Sequence, residues 1–444
     1  YQRSGHYGLV TGEPLPAMSS LSLKPLSVST FISDNPNIKP FKFRRNIPPP
    51  YKSHYQTERE HQIDVGNTFF RSESATARDL GVLSAALYRN TTGCLRVLDA
   101  MCGCGIRSLR YLAEAEADFV VANDANENYR EIILGNLSRV SSGSGEGKRW
   151  EVKHLPATRL LAECYLRKDY FDLIDVDSFG SSSSYLRVAL DAVKLGGLLY
   201  ITSTDGLSSG GHRPNQSLAA YGAYVQPLPY SNEIGLRMLI GGAVREALVL
   251  GYHVVPLFSY YSYHGPVFRV LLQVKRGKFP SSRYYSFISY CNQCGNTRAF
   301  SWNELGEISC PCSTNVSRSR VVSGPLWTGP LHDAQHLREM MSLADQWGWF
   351  GDGEGKNLEK LLKQMIDESD PKLPVGYLNA DEIASRAKLN LPPLSVIMNS
   401  LHKGGYAVSR SHIAPNAIKT DCPMVKCVEI VKQLQQPAEM SSCE

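Results

Sequence analysis

The chain has 444 residues, more than a single hydrophobic core usually organises, so the sequence predicts two or three domains. Its 47 Lys and Arg residues and 42 Asp and Glu residues give a formal net charge of +5, which permits a polyanionic partner without requiring one. We expect no membrane association because no run approaches the roughly 18 to 20 apolar residues that cross a bilayer, and the 11 cysteines of so long a chain exclude a small secreted disulfide scaffold.

Residues 1–60 are predicted to form a disordered basic leader. Between Met18 and Tyr55 the chain is rich in Ser, Pro, Lys and Arg, and its single acidic residue there is Asp34. This composition is typical of an organelle transit peptide, with Met18 as a candidate initiator, so we expect a chloroplast or mitochondrial location. The alternatives are a basic arm that contacts RNA or has no role, and a nuclear location.

Residues 61–280 are predicted to form an α/β domain with a doubly wound, mostly parallel sheet and helices on both faces. Apolar runs alternate with helix-length segments, as in parallel sheets. The runs are residues 95–100, 119–125, 171–177 and 197–205. Two further runs, "HVVPLFSYYSY" and "VFRVLLQVKRG", predict two final strands and an antiparallel edge.

A strand, a tight turn and a helix start follow one another in "VLDAMCGCGIRSLRYL", where Gly103 and Gly105 form the turn. Glycines let the backbone approach a ligand closely, and the amino end of a helix offers free N–H groups. Asp124 ends the next strand, where doubly wound folds present a carboxylate to ribose hydroxyls. Ser108 occupies the place of the third dehydrogenase glycine, and Asp99 before the turn suits S-adenosyl-L-methionine. A methyltransferase is therefore favoured over a dehydrogenase.

The predicted strand at residues 171–177 ends at Asp177 in "FDLIDVDSFGS". An exocyclic amine on a base is a poor nucleophile until acceptors hold its N–H groups and turn its lone pair toward a methyl donor. Asp177 and the carbonyl region of Ser178 supply acceptors, and Phe179 supplies a face on which the base stacks. The alternative is that Asp175 and Asp177 cap the following helix and Phe179 packs in the core. Because the predicted Asp124 site lies nearby, the catalytic interpretation of this stretch is favoured over the capping one.

Four cysteines in "YCNQCGNTRAFSWNELGEISCPCS" match the spacing of a structural zinc ribbon: Cys291, Cys294, Cys310 and Cys312. Two thiolate pairs on turns complete a tetrahedron around Zn²⁺, and a site with four thiolates is structural rather than catalytic. The second pair has one residue between its cysteines where two are commoner. The alternative is four unliganded buried thiols. We assign residues 281–330 to this zinc-ribbon-like insert.

Residues 331–434 are predicted to be a C-terminal α+β domain, followed by a tail at 435–444. Asn379 suits a helix N-cap, and apolar residues at helical spacing follow between residues 394 and 401. Two helices and the basic hairpin "GGYAVSRSHIAPNAIKTD" indicate a winged-helix-like end. Charges on such a hairpin are more often a solvated surface than a binding site. The wing is predicted to carry Arg410, His412 and Lys419.

Taken together, these motifs resemble those of the tRNA (guanine 26) N(2)-dimethyltransferases. The matching stretches run from "FFRSESATARDL" through "GIRSLRYL", "VVANDAN" and "FDLIDVDSFGS" to "GPLWTGPLHD" and "SRSHIAPNAIKTD", and the last two are the most specific. The resemblance implies a catalytic class I methyltransferase domain and a C-terminal domain that grips tRNA. It implies transfer of one or two methyl groups from S-adenosyl-L-methionine to the exocyclic N2 amine of a guanine, guanine 26, in tRNA. We expect a monomer.

The resemblance also implies roles for individual residues. Cofactor contacts fall on Arg78 and Arg107, at the methionine carboxylate, on Asp124, and on Ala157 at the adenine end. The catalytic carboxylate falls on Asp177. The wing, with Arg410, His412 and Lys419, then contacts tRNA.

Four residues depart from the family pattern. Met101 replaces the first glycine of the turn, Pro156 replaces an aspartate before Ala157, and Ser178 and Phe179 replace a proline and a tyrosine. Met101 and Pro156 point to the alternative of a catalytically weakened, tRNA-binding relative. A third alternative, an adenine amino-methyltransferase acting on DNA, leaves the C-terminal motifs unexplained.

Overall fold

The computed structural model describes residues 54–140, 148–277, 284–310, 312, 320–351 and 354–435. Most of the predicted leader, and with it the transit-peptide interpretation, lies outside these residues. The described chain begins with an antiparallel hairpin of β1 (Tyr55–Glu58) and β2 (His61–Asp64). The sequence predicts a leader that extends to residue 60, and this boundary is wrong because β1 is already part of the folded unit.

Seven strands form the central mixed sheet, in the order β5-β4-β3-β6-β7-β9-β8. Strands β3 to β7 run parallel, whereas β9 is antiparallel to both β7 and β8. The predicted doubly wound sheet with an antiparallel edge is confirmed. The strands are β3 (Arg96–Asp99), β4 (Phe119–Asn123), β5 (Trp150–Lys153), β6 (Phe171–Asp177), β7 (Val193–Ser203), β8 (Tyr252–Ser262) and β9 (Val267–Arg276).

Helices cover both faces of this sheet, which explains why its central strands are apolar along their whole length. The helices of this part are α1 (Ala75–Thr92), α2 (Ile106–Ala113), α3 (Arg130–Leu137), α4 (Ala157–Leu166), α5 (Ser183–Ala192), α6 (Gly206–Ser209), α7 (Pro214–Tyr221) and α8 (Ser231–Val249). One core contains residues of α4, α5 and α8, and the other contains residues of α1, α2 and α3. None of the described helices is both long and apolar enough to cross a bilayer.

The cysteine-bearing insert contains a second, antiparallel sheet in the order β11-β10-β12. Its strands are β10 (Tyr285–Cys291), β11 (Thr297–Phe300) and β12 (Arg320–Trp327). Ile288, Leu326 and Trp327 of this sheet belong to the same core as α8. The insert therefore packs against α8 of the α/β domain. Helices α9 (Ala334–Gln346) and α10 (Glu354–Asp367) follow and extend the other core.

The C-terminal part has its own small core, which includes Ile383, Ile397 and Ile418. Its three-stranded sheet has the order β13-β15-β14, and two helices precede the β14–β15 hairpin. This is the predicted winged-helix-like arrangement. The elements are β13 (Leu378–Asn379), α11 (Ala380–Ala387), α12 (Leu394–Lys403), β14 (Val408–Arg410), β15 (Ala417–Thr420) and α13 (Met424–Gln435).

Candidate active site

A cavity of about 420 Å³, named the central cavity, lies at the carboxyl ends of β3, β4, β6 and β7. Ligands bind at this edge in open α/β sheets because the strand order reverses there and leaves a crevice. The wall includes six of the site residues predicted from the sequence: Arg78, Gly103, Arg107, Asp124, Asp177 and Phe179. It also includes Phe69 and Arg269, which the sequence reasoning did not single out.

The glycine turn is built as the sequence predicts. Gly103 and Gly105 have φ angles of 57° and 85°, in the left-handed region that favours glycine. The Asp124 carboxylate accepts the backbone N–H of Gly103 at 3.1 Å and that of Asn126 at 2.9 Å. Because each carboxylate oxygen has two lone pairs, Asp124 keeps acceptor capacity for hydroxyl donors in the cavity.

The loop after β5 is tied to the end of β4 by an amide that the sequence reasoning missed. The Asn123 side chain donates to the carbonyl oxygens of Ala100 and Leu155 and accepts the Leu155 backbone N–H. Pro156 takes the N-cap position of α4, and Ala157 is the first helical residue. Ala157 is buried, and the structure does not place it on the wall of the central cavity.

Two aspartates of β6 share one arginine. Arg107, in the first turn of α2, donates from Nη1 to Asp175 Oδ2 and from Nη2 to Asp177 Oδ2, both at 2.9 Å. Asp175 is fully buried and also accepts the Tyr111 hydroxyl at 2.7 Å. The side chain of Asp177 is 30% exposed and faces the cavity. Asp175 is thus a supporting residue, and Asp177 is the carboxylate that a ligand can reach.

The charges around Asp177 keep it ionised. Burial by itself would raise its pKa, but the positive charges of Arg107 and Arg269 outweigh burial and lower the pKa of Asp177 to about 2. For Asp175, burial dominates and raises the pKa above its ordinary value. At neutral pH, Asp177 is therefore a hydrogen-bond acceptor with two oxygens.

Two predicted cofactor residues are engaged elsewhere. Asp99, predicted near the methionine end, is fully buried, accepts the Ser108 hydroxyl at 2.7 Å and does not line the cavity. Burial and the nearby charge of Asp175 raise the pKa of Asp99 to about 8. Arg78 does line the cavity, but it is paired with Glu58 of β1, to which its Nε donates at 2.8 Å. Glu58 was outside the sequence reasoning because it falls within the stretch assigned to the leader.

Phe179 is 68% exposed, so the alternative that it packs in the core is wrong. Its ring meets the ring of Phe69 edge to face, with centroids 4.7 Å apart, and both rings stand at the cavity. The Ser178 hydroxyl donates to the carbonyl oxygen of Thr202 at 3.1 Å, and the Gly180 N–H donates to the Thr204 hydroxyl. These bonds connect the loop after β6 to the end of β7.

The model of a family described as N2,N2-dimethylguanosine tRNA methyltransferase matches residues 53–432. The chain belongs to this family. It is 31% identical over 382 residues to the tRNA (guanine(26)-N(2))-dimethyltransferase of Thermococcus kodakarensis, covering 82% of this chain and 93% of that protein. It is 28% identical over 390 residues to the protein of the same name from Pyrococcus abyssi, covering 86% and 97%. The resemblance stated from the motifs is confirmed.

A solved structure agrees with this membership. The complex of Trm1 from Pyrococcus horikoshii with S-adenosyl-L-methionine matches 85% of this chain and 99% of that chain, with a TM-score of 0.71 and 26% sequence identity. The match extends well beyond the central sheet, so the family fold includes the insert and the C-terminal elements.

The four cysteines that are predicted to bind zinc lie close together in the structure. Their Sγ atoms all lie within 4.8 Å of one another. The Sγ atoms of Cys291 and Cys312 are 3.6 Å apart, those of Cys294 and Cys310 are 3.4 Å apart, and those of Cys310 and Cys312 are 3.3 Å apart. Zn–S bonds of about 2.3 Å place tetrahedral sulfurs about 3.8 Å apart. The cluster therefore has nearly the size of a four-thiolate metal site, in spite of the shortened second pair.

Two of the three residues predicted on the surface of the wing are buried. Lys419 is 3% exposed, and its Nζ lies 2.6 Å from Glu233 Oε2 of α8. The His412 side chain is buried, and its Nδ1 lies 3.0 Å from Glu368 Oε1. Because both groups face the rest of the protein, their prediction as tRNA contacts is corrected. Arg410 is exposed, as predicted.

A second histidine completes this buried group. His332 Nε2 lies 3.8 Å from Glu368 Oε2, and His332 Nδ1 accepts the backbone N–H of Ser259. In the neutral ring this bond leaves the proton on Nε2, facing Glu368. His332, Glu368 and His412 are therefore a polar cluster that joins the wing to the methyltransferase domain.

Proposed function

We propose that the chain transfers one or two methyl groups from S-adenosyl-L-methionine to the exocyclic N2 amine of a guanine in tRNA, at position 26. The observation that carries the proposal is the ionised carboxylate of Asp177 beside the exposed ring of Phe179, in one cavity with Asp124. The relatives that match most of the chain bear the name of this activity.

The residues of the central cavity have distinct roles in this reaction. Phe179 and Phe69 stack on the extruded base. Asp177 accepts one N–H of the amine, and the backbone carbonyl of Ser178 accepts the other, so the nitrogen lone pair turns toward the methyl donor. S-Adenosyl-L-methionine supplies a sulfonium-activated methyl group: the new N–C bond forms as the S–C bond breaks, and a neutral thioether leaves.

The proton then leaves the alkylated nitrogen. A guanine N2 that has gained a fourth bond can no longer delocalise its lone pair, so it is a far stronger acid than an ordinary ammonium group. Asp177, with its pKa of about 2, is a weak base, but it lies next to this nitrogen and passes the proton to water. We propose that Asp177 orients the amine first and receives the proton second.

The proposed binding site of the cofactor lies on the β3 and β4 side of the cavity. Asp124 is the proposed acceptor for the ribose hydroxyls, and the left-handed turn at Gly103 allows close approach of the cofactor. The two Nη groups of Arg107 are bound by Asp175 and Asp177. Glu58 binds Nε and Nη2 of Arg78, so its Nη1 is the donor that remains for a ligand in the cavity. We therefore propose that Arg107 positions Asp177 and that Arg78 contacts the methionine carboxylate through Nη1.

The cysteine cluster is the proposed site of a structural Zn²⁺. Four thiolates would complete its coordination and leave no position for a water, which excludes a catalytic role for such an ion. The arginine that remains for tRNA contact on the wing is Arg410, which would bind the phosphate backbone rather than read bases.

Labelled S-adenosyl-L-methionine and an unmodified tRNA transcript test the activity. We expect label in N2-methylguanosine or N2,N2-dimethylguanosine after nucleoside digestion, and none with a matched transcript that has adenine at position 26. Label in adenosine, or equal label in both transcripts, would overturn the assignment. Retained tRNA binding without cofactor binding or methylation would instead favour the catalytically weakened relative.

A further inference from the structure

Arg269 is a buried arginine of the central cavity whose charge helps to keep Asp177 ionised, but whose hydrogen-bond donors have no role in the proposed function. It lies on β9, opposite Thr202 of β7, and Thr202 in turn lies opposite Asp177 of β6. The three residues are thus aligned across neighbouring strands. Arg269 is 3% exposed, yet it lines the cavity.

The guanidinium of Arg269 is largely unpartnered. Its Nη2 donates to the Ser74 hydroxyl at 3.3 Å, a long bond. Within the part of the chain that the structure describes, its Nε and Nη1 are buried and have no hydrogen-bond partner. Buried donors without acceptors are costly in free energy. The other three arginines of the cavity differ. Arg78 is paired with Glu58, and Arg107 with Asp175 and Asp177. Arg71 is exposed, with its guanidinium over the ring of Phe69. Arg269 therefore has donors available for a ligand acceptor.

The strand order indicates which ligand lies near it. The cofactor residues Gly103 and Asp124 follow β3 and β4, on one side of β6. Arg269 lies on β9, on the other side of β6 and beyond β7. The backbones of β6 and β9 are two strand spacings, or about 10 Å, apart. The target base enters between Phe179 and Asp177, so Arg269 faces the base rather than the cofactor.

Guanine offers a matching acceptor. On its pairing edge, the N1 and N2 donors are adjacent and the O6 acceptor stands at the far end. With Asp177 bound to the donor end, O6 points away from Asp177 along the same edge. An arginine donating to O6 is a common way in which proteins recognise guanine.

Resting on the proposed function, we propose that Arg269 is a specificity-determining residue, which donates to O6 of the target guanine while Asp177 binds the N2 end. Adenine is rejected because its amino group would face the Arg269 donors and its N1 lone pair would face the Asp177 carboxylate. In the first contact two donors would face each other, and in the second two acceptors, so both contacts would be repulsive.

The test compares transcripts with guanine or 2,6-diaminopurine at the target position. 2,6-Diaminopurine keeps the N2 amine but carries an amino group in place of O6. We expect wild-type protein to prefer guanine in kcat/KM by about a hundredfold. In Arg269→Met this preference falls about tenfold or more, mainly through loss of activity on guanine. Arg276→Met, on the exposed end of the same strand, is the matched control and keeps the wild-type ratio.

Two further readouts separate this role from others. Calorimetry should give the same affinity for S-adenosyl-L-methionine in Arg269→Met as in wild type, and its thermal midpoint should not fall, because an apolar side chain of similar volume removes unpartnered donors. An unchanged guanine preference, a lost cofactor affinity, or a large fall in thermal midpoint would each overturn the proposal. If wild-type protein fails to methylate the guanine transcript, the proposed function itself fails.

Discussion

Arg107 forms ion pairs with two aspartates that lie two residues apart on β6 and that differ in their roles. One guanidinium satisfies a buried carboxylate, Asp175, and an accessible one, Asp177, at equal distances of 2.9 Å. The shared cation keeps Asp177 ionised and fixes its direction. In the proposed function, Arg107 thus acts on the reaction through Asp177, as a positioning residue.

Asp177→Asn tests this division at the level of one residue. The amide is isosteric, but it loses the charge that accepts the amine N–H, so we expect kcat to fall about 10²- to 10³-fold with cofactor affinity within a few fold of wild type. Steady-state kinetics on tRNA and calorimetry with S-adenosyl-L-methionine check the two parts. Asp175→Asn is the comparison: we expect it to lower stability first, because it breaks the buried bonds to Arg107 and Tyr111. Wild-type kcat in Asp177→Asn would contradict the assigned role.

The sequence predicted the residues of the site whose role follows from local position. Asp177, Phe179 and Asp124 are found because each stands at the end of an apolar run, and the end of a parallel strand is where ligands bind. Glu58 and Arg269 were missed because their role depends on partners far away in the chain. Arg269 lies inside an apolar strand, where a sequence shows a charge but not the cavity that it faces. The prediction of Lys419 as a tRNA contact was wrong for the same reason, because the alternation of residues along a hairpin does not show which of its faces another domain covers.

At the level of elements, the cysteine cluster joins the ends of a small sheet to the C-terminal part. Cys291 ends β10, and Cys294 lies in the turn that leads to β11. Backbone carbonyls of this turn, those of Asn292 and Gln293, accept hydrogen bonds from Arg386 of α11. A metal that fixes the turn would therefore also fix the contact with the winged-helix-like end.

We expect one Zn²⁺ per chain, and its loss in Cys294→Ser. Metal analysis by mass spectrometry checks the content, and we expect the thermal midpoint and the affinity for tRNA to fall while cofactor affinity stays the same, because none of the four cysteines lines the central cavity. Cys422→Ser is the control, since Cys422 is outside the four-cysteine cluster. A freshly reduced protein without zinc, or Cys294→Ser with full zinc content, would contradict the assignment.

At the level of the whole molecule, buried polar groups fix the C-terminal part on the methyltransferase domain. Glu233 of α8 is paired both with Arg237 and with Lys419 of β15. The second group is the cluster of His332, Glu368 and His412. Buried ion pairs contribute little net stability, but leaving one partner unpaired is costly. The two buried groups therefore favour one orientation of the wing, and this orientation sets the distance from the wing to the central cavity.

This arrangement makes stability depend on pH through His332. Burial lowers its pKa to about 4, although Glu368 works in the opposite direction, whereas a histidine in an unfolded chain has a pKa of about 6.5. Between these values the unfolded chain binds a proton that the folded chain does not, so the free energy of unfolding falls as pH drops from 6.5 toward 4.

The contribution of this one residue is about 2 to 3 kcal/mol between pH 7 and pH 4.5. Urea unfolding at both pH values measures it as a difference between proteins: wild type should lose that much more than His332→Gln, whose side chain does not titrate. His402→Gln, at an exposed position, should behave as wild type does. Equal pH dependence in wild type and His332→Gln would mean that His332 is protonated in the folded protein, and that the buried cluster holds a positive charge between Glu368 and β8.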